Sequence, residues 1–471
     1  MSRILSRFLL ILMLLTGLGI IFFGKRPSEF RMSDPAGAAG NRDGAPVRGR
    51  TIVTFWEKWT RHEAEAMQRA VDRFNLSQDR IFVNMVSMSQ INQKLLIATA
   101  GGDPPDVAGL WASQIAPFAA AGALEPLDEL TADGTITAET YKPFVWRICA
   151  PKGRLYSAAS TPNTCAIYWN KDHFREAGLD PEKPPRTIEE LDALAEKLTI
   201  RKGAELVRLG FLPNEPGWWD YYWGIYWGND LYDEETGFFR IDTPAQRAAY
   251  NWYQSYPKRY NVKDMQTFAS GFGQFNSPQN AFINGKVSII VQGPFFAKFI
   301  QLNNPTFEGH YGVSFVPLPQ ALNQPEGSVA LGDLDCWVIP LGARHKTEAL
   351  EFLRFLTRQD VMEDLCTAHA KPSPLMKVSP GYFKRNPNPY IDVFEKATVA
   401  QTVHILPPSP IWERVQSEII SAVGSMWRDP EHFPVEETLA RVQKTADGYV
   451  REHQYYQQKR ERQLKEHAHA R

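Results

Sequence analysis

Apolar positions between residues 51 and 110 switch between two spacings, and each switch marks a new element. Thr51 to Trp56 is short, β-branched and aromatic, which predicts a strand. Met67, Val71 and Phe74 follow at helical spacing behind Thr60-Arg61-His62-Glu63, a sequence able to form a capping box. Ile81 to Val86 reads as a strand, Ile91 to Ala100 as a helix, and Val107 to Leu110 as a third strand. Strands and helices alternating in this way predict a mainly parallel sheet covered by helices, an α/β fold.

The pattern tightens between residues 155 and 198. Leu155 to Ala159 is small and extended, Ser160 to Thr164 is turn-rich, and Cys165 to Trp169 reads as a buried strand. Asn170 then opens a short helix that Gly178 closes in the place of a left-handed cap. Thr187-Ile188-Glu189-Glu190 is a second capping box, followed by an apolar face at Ile188, Leu191, Leu194, Ala195 and Leu198. Trp218, Trp219, Tyr221, Tyr222, Trp223, Tyr226 and Trp227 cover most of a helical wheel, so some of them must face a cleft or solvent.

Length and charge narrow the picture. A chain of 471 residues exceeds what one core supports and predicts two lobes. A formal net charge of -1 argues against a nucleic-acid partner, which demands a basic surface. Phe8 to Gly24 is almost wholly apolar between flanking basic residues and spans roughly 25 Å at about 1.5 Å per residue. That length suits a signal sequence or membrane anchor at residues 1–26, and the lack of a nearby small-x-small site favours an uncleaved anchor outside the cytoplasm. Residues 27–49 hold almost nothing to bury and read as a flexible linker, while 451–471 read as a charged helical tail. The four cysteines lie apart among apolar residues, without metal-ligand spacing, and their pairing is left open. No P-loop, H-E-x-x-H or G-x-S-x-G is present, so no cofactor or catalytic residue is assigned.

Several stretches resemble one family. Gly102-Asp103-Pro104-Pro105-Asp106-Val107, the segment Gly122 to Leu127, Trp169-Asn170-Lys171-Asp172, Phe174 to Leu179 and Thr187 to Leu191 occur in the order found in extracytoplasmic solute-binding proteins of ABC importers, the sugar-binding group similar to the maltose-binding protein. Phe282 to Ile290 and Ala349 to Leu353 continue the likeness, which covers roughly residues 50–375. The chain departs from the pattern at Trp169 and Ile188, which keep bulk, and at Asp333 and Asp335, where small residues are usual.

The resemblance implies a two-lobed periplasmic-binding-protein fold with hinge crossings, lobe 1 comprising 50–160 and 290–340 and lobe 2 comprising 161–289 and 341–450. It implies a saccharide ligand between the lobes and an ABC permease as partner. Ligands of open α/β sheets lie beyond the carboxyl ends of strands, and sugars call for planar aromatics beside carboxylates and amides. Candidate ligand contacts are therefore Trp56 and Glu57 after the first strand, Trp111 and Gln114 after the third, and Asn163 on the first crossing. Trp218, Trp219 and Trp223 from the second lobe, Gln292 after the return strand, and Asp333 and Asp335 near the third crossing complete the set. A membrane-anchored sensor without transport and a carbohydrate-active enzyme remain as alternatives.

Overall fold

The computed structural model describes residues 49–203, 205–215 and 219–469, so the apolar run Phe8–Gly24, nearly all of the expected linker and Trp218 lie outside the described residues. Among the described residues no helix is long and apolar enough to cross a membrane.

Strands β1 (Thr51–Glu57), β2 (Ile81–Ser87) and β3 (Val107–Trp111) pair parallel, with β1 in the middle. The chain then crosses through β4 (Ala158–Thr164) into β5 (Ala166–Asn170) of a second sheet. β6 (Ile200–Lys202), β7 (Glu205–Phe211), β8 (Val287–Gln292) and β9 (Tyr311–Phe315) complete that sheet in the order β6-β7-β8-β5-β9. β10 (Val329–Val338) returns to the first sheet, antiparallel to β3 and β4, and β11 (Thr402–Ile405) pairs parallel with it. The second sheet is more antiparallel than expected, because β5 runs against both β8 and β9. The reason is its entry point: β5 starts at Ala166, opposite Gln292, where β8 ends.

Local signals account for most of these elements. The Asn170 side chain accepts hydrogen bonds from the Asp172 and His173 amides at 2.9 and 3.1 Å, and Gly178 adopts φ +70°, the left-handed conformation its place demands. Thr187 accepts from the Glu190 amide at 3.2 Å, and Glu190 reaches back to the Arg186 amide at 2.8 Å. Thr60 caps nothing with its side chain, because the next residue, Arg61, takes a left-handed φ of 53° and turns the chain away from capping geometry. Ser160 to Thr164, expected as a turn, is strand β4 and wholly buried. Its polar side chains are enclosed because β10 lies directly against it.

Two separate cores define the lobes. One gathers Val53, Phe55, Leu110, Phe144 and Trp337 with Phe352 and Met362. The other gathers Tyr168, Phe211, Tyr222, Tyr253, Phe282 and Trp412. This packing corrects the expected boundaries on both sides. β8 and β9 belong to the second sheet, so 290 to about 328 is lobe 2, and the helices Lys346–Leu356 and Gln359–Ala368 pack on β1 and Arg61–Ser77 in lobe 1. The helix Trp412–Arg428 and the long helix Val435–His469 return to lobe 2, the latter through Leu439, Val442, Ala446 and Val450. β10 is shared: Val329 and Leu331 lie in the second core, and Leu334 to Val338 in the first. A break in its register with β4 falls between Leu334 and Cys336, at the change of lobe.

Candidate functional site

The carboxyl end of β1 delivers Glu57 and Lys58 to the junction between the lobes, where a buried charge cluster forms. Asp335 is its centre. One oxygen accepts from Lys371 Nζ at 2.9 Å and Thr161 Oγ1 at 3.0 Å, and the other lies 3.2 Å from Lys58 Nζ. Burial alone would raise the Asp335 carboxyl, but Lys371 and Lys58 outweigh it and hold the group well below the usual carboxylate range. Burial likewise opposes charge on both lysines, and Asp335 reverses the effect so that each stays protonated.

Glu57 is fully buried and fixed from two sides, by the Lys58 amide at 2.7 Å and Trp337 Nε1 at 3.2 Å. Gly109 makes room for it, since a Cβ there would sit 2.3 Å from Glu57 Oε1. Gly109→Ala is therefore expected to displace the carboxylate and destabilise the protein by about 2 kcal/mol, read as a lower melting temperature without ligand.

Trp111 and Gln114 stand on the same edge. Trp111 ends β3, is 42 % exposed, and has the Lys58 ammonium 5.6 Å from its ring. Gln114, on the helix Ala112–Ala120, donates to Glu413 Oε1 at 2.5 Å and so links lobe 1 to lobe 2. On the opposite flank His62 meets Phe299 edge-on at 5.2 Å, and Lys371 lies 5.8 Å from the Phe295 ring. The lobes thus touch on both sides of the cleft.

Asp333 and Asn163 pair across β10 and β4. Asp333 accepts only the Leu334 amide, at 2.8 Å, meets no cation within 4 Å among the described residues, and burial pushes its carboxyl up to about 6. The Asn163 carbonyl oxygen and the Gln292 amide nitrogen are buried without a hydrogen-bond partner among the described residues. Unpaired polar atoms of this kind are costly unless a ligand or water completes them.

The second lobe contributes a small cavity of about 20 Å³, the space of about one water. Trp219, Tyr222, Trp223 and Tyr226 wall it, and Glu215 and Asp220 bring carboxyls. Trp223 is buried and spends its indole N–H on the Pro213 carbonyl at 3.0 Å, so it offers the cavity only apolar surface. Leu331 of β10 closes the floor and ties the cavity to the hinge strand.

The candidates therefore separate. Glu57 and Asp335 are spent on ion pairs and hydrogen bonds on the lobe 1 side of the junction, and Trp56 packs against the first core. Gln114 is buried and bridges the lobes through Glu413; Trp111, Asn163, Gln292 and Asp333 present exposed or incompletely paired groups at the junction, and Trp219 and Trp223 line the second-lobe cavity. Lys371, Glu215 and Glu413 are not singled out by the sequence alone, and Glu63, read there as part of a capping box, lies 3.8 Å from Lys371. Trp412-Glu413 carries the same aromatic-acid adjacency that marks Trp56-Glu57 and could have been found by it.

The four cysteines are all buried and free, and among the described residues no group of acids, histidines and cysteines could hold a metal ion.

Comparison with known proteins follows the same lines. The maltotriose-binding protein of Pyrococcus abyssi is 22% identical over 416 residues, 83% of this chain and 81% of that one. The sn-glycerol-3-phosphate-binding periplasmic protein UgpB of Yersinia pestis is 24% identical over 336 residues, 66% of this chain and 71% of that one. Among solved structures, CpMnBP1 with mannobiose bound superposes with a TM-score of 0.74 at 24% identity, covering 84% of this chain and 100% of that one. The sugar-binding protein MalE from the phytopathogen Xanthomonas citri gives 0.70 at 20% identity, covering 87% and 99%. Both show the two-lobed fold. The family pattern described as bacterial extracellular solute-binding protein matches residues 60–363, and since that is more than half of its length, this chain belongs to that family.

Proposed function

We propose that the protein binds a mono- or oligosaccharide between its lobes, outside the cytoplasm, and delivers it to an ABC-type permease. The observation that carries the reading is the make-up of the junction. An exposed tryptophan, Trp111, stands at the same junction as the buried Asn163 Oδ1 and Gln292 Nε2, which lack partners among the described residues, and the Asp333 carboxylate, which accepts only the Leu334 amide. Ring faces stack on aromatics and hydroxyls complete such atoms, so a sugar fits both needs.

Closure draws on both lobes, through Gln114 from one and Glu413 from the other. A relative that binds maltotriose and a structural neighbour holding mannobiose support the ligand class. A phosphorylated ligand of the UgpB kind is disfavoured, because Lys58 and Lys371 are both committed to Asp335. Residues 1–26 would anchor the protein to the membrane and 27–49 would tether the lobes to it. The protein binds its ligand and releases it unchanged.

A thermal-shift screen of the full chain against neutral oligosaccharides tests the reading, since a ligand that binds only the folded state raises the melting temperature. A shift with one saccharide class is expected, with affinity about tenfold weaker in Trp111→Ala. Trp111 is 42 % exposed, so the substitution leaves the core intact. A shift with no saccharide, but with a glycerol phosphodiester, would overturn the ligand class.

A further inference from the structure

The second-lobe cavity has an imbalance that a neutral sugar leaves in place. Glu215 and Asp220 both line it, yet among the described residues neither meets a lysine or arginine within 4 Å. Glu215 receives one hydrogen bond, from Asn280 Nδ2 at 3.3 Å, and Asp220 one side-chain hydrogen bond, from the Tyr253 hydroxyl at 3.2 Å. Burial raises both carboxyls, Glu215 to about 7 and Asp220 to about 6, the direction expected of acids without a counter-charge.

A second observation is independent of the acids. Tyr222 lines the same cavity, is 2 % exposed, and its buried hydroxyl has no partner among the described residues. Together with Trp219, Trp223 and Tyr226 it forms an aromatic enclosure. Aromatic faces attract cations through the ring quadrupole, most strongly where water is excluded, and nearby carboxylates supply the full counter-charge.

We propose that this cavity holds a protonated amine, carried on an amino-sugar unit of the ligand. The inference rests on the saccharide reading above and narrows it. The ammonium, about the size of the water the cavity admits, lies against the aromatic faces and donates to Glu215, Asp220 and the unpartnered Tyr222 hydroxyl, while the sugar ring stays at the cavity mouth. The charge pairs that the protein lacks in this cavity are thereby completed by the ligand. Among the described residues no lysine or arginine lies within 4 Å of either acid to compete, and Lys58 and Lys371 are held at Asp335.

Isothermal titration of the full chain at pH 7.5 with three disaccharides tests this. They are a β-linked glucosamine dimer, its N,N′-diacetyl form, and a neutral dimer of the same linkage; spermidine serves as a non-sugar amine. The glucosamine dimer is expected to bind at least about tenfold more tightly than either neutral form. Glu215→Gln combined with Asp220→Asn should remove that preference while neutral binding persists. Equal or tighter binding of the acetylated or neutral dimer by the unaltered protein would overturn the inference and leave the saccharide reading standing. Binding of spermidine with none of the sugars would retain the ammonium site and overturn the saccharide reading. Binding of none of the four would overturn both.

Discussion

Asp335→Asn is expected to lower the melting temperature by roughly 10 °C. Asp335 is the shared counter-ion of two buried ammoniums, with Lys371 at 2.9 Å and Lys58 at 3.2 Å. Removing its charge leaves two buried cations with only longer pairs, Lys58 with Glu57 at 3.6 Å and Lys371 with Glu63 at 3.8 Å. Breaking a buried pair from one side typically costs about 3–5 kcal/mol, and in a domain of this size each kcal/mol moves the midpoint by about 2–4 °C.

Asp333→Asn is the matching control, because Asp333 has no cation within 4 Å among the described residues and the same change there should be neutral or mildly stabilising. The Asp335 carboxyl is held below its ordinary value, so its contribution is complete above the usual carboxylate range and fades as the pH falls below about 4. Thermal unfolding of the three proteins, followed by circular dichroism at pH 7.5, checks the contrast. Equal melting of the two variants would mean that the cluster does not stabilise the fold.

Glu215→Gln acts with the opposite sign. Burial raises this carboxyl from 4.5 to about 7, with only the Asn280 hydrogen bond against it. The folded protein therefore holds the proton more tightly than the unfolded chain. Its stability is greatest below the ordinary glutamate value, falls as pH rises toward about 7, and is flat above that. Each tenfold gain in proton affinity corresponds to about 1.4 kcal/mol, and partial exposure to the cavity reduces the total to about 2 kcal/mol. At pH 8 the ligand-free Glu215→Gln protein should melt above the wild type, and at pH 5 the two should nearly coincide. Melting curves at both pH values decide it, and a gap that fails to close at pH 5 would assign the gain to something other than the proton. A bound ammonium would reverse the wild-type deficit, which connects this measurement to the amino-sugar inference.

The legible parts of the sequence were those settled within a few residues. Asn170, Gly178 and Thr187 each behave as their neighbours dictate, because a cap is completed by amides two or three positions away. Thr60 failed the same test since Arg61 takes a left-handed turn that nothing in Thr60-Arg61-His62-Glu63 announces. The aromatic run after Trp218 was rightly seen as too wide for one helical face. Its cause was different: Asp220–Trp227 is a 3₁₀ segment between the second core and the cavity, so six of its residues can be buried together.

The site was legible in outline, because the ends of β1 and β3 follow from the strands themselves. Its charge pairing was not. Lys371 meets Asp335 from 36 residues away and Gln114 meets Glu413 from 299, and no local pattern marks such partners.

By itself, then, the sequence determined the alternation of strands and helices, the order of the family's motifs, and hence two lobes with a ligand place at the strand ends. Periodicity and capping are local, and burying the apolar faces they create leaves few other arrangements. Only the tertiary structure decided where the lobes divide, that β10 belongs to both cores, and which acids keep a counter-ion. Asp335 and Asp333 are two residues apart with the same side chain, yet one lies between two lysines and the other has none within 4 Å among the described residues. That difference depends on which distant segments the folded chain brings within a few ångströms, because charge pairing falls off with distance in space and is indifferent to separation along the chain.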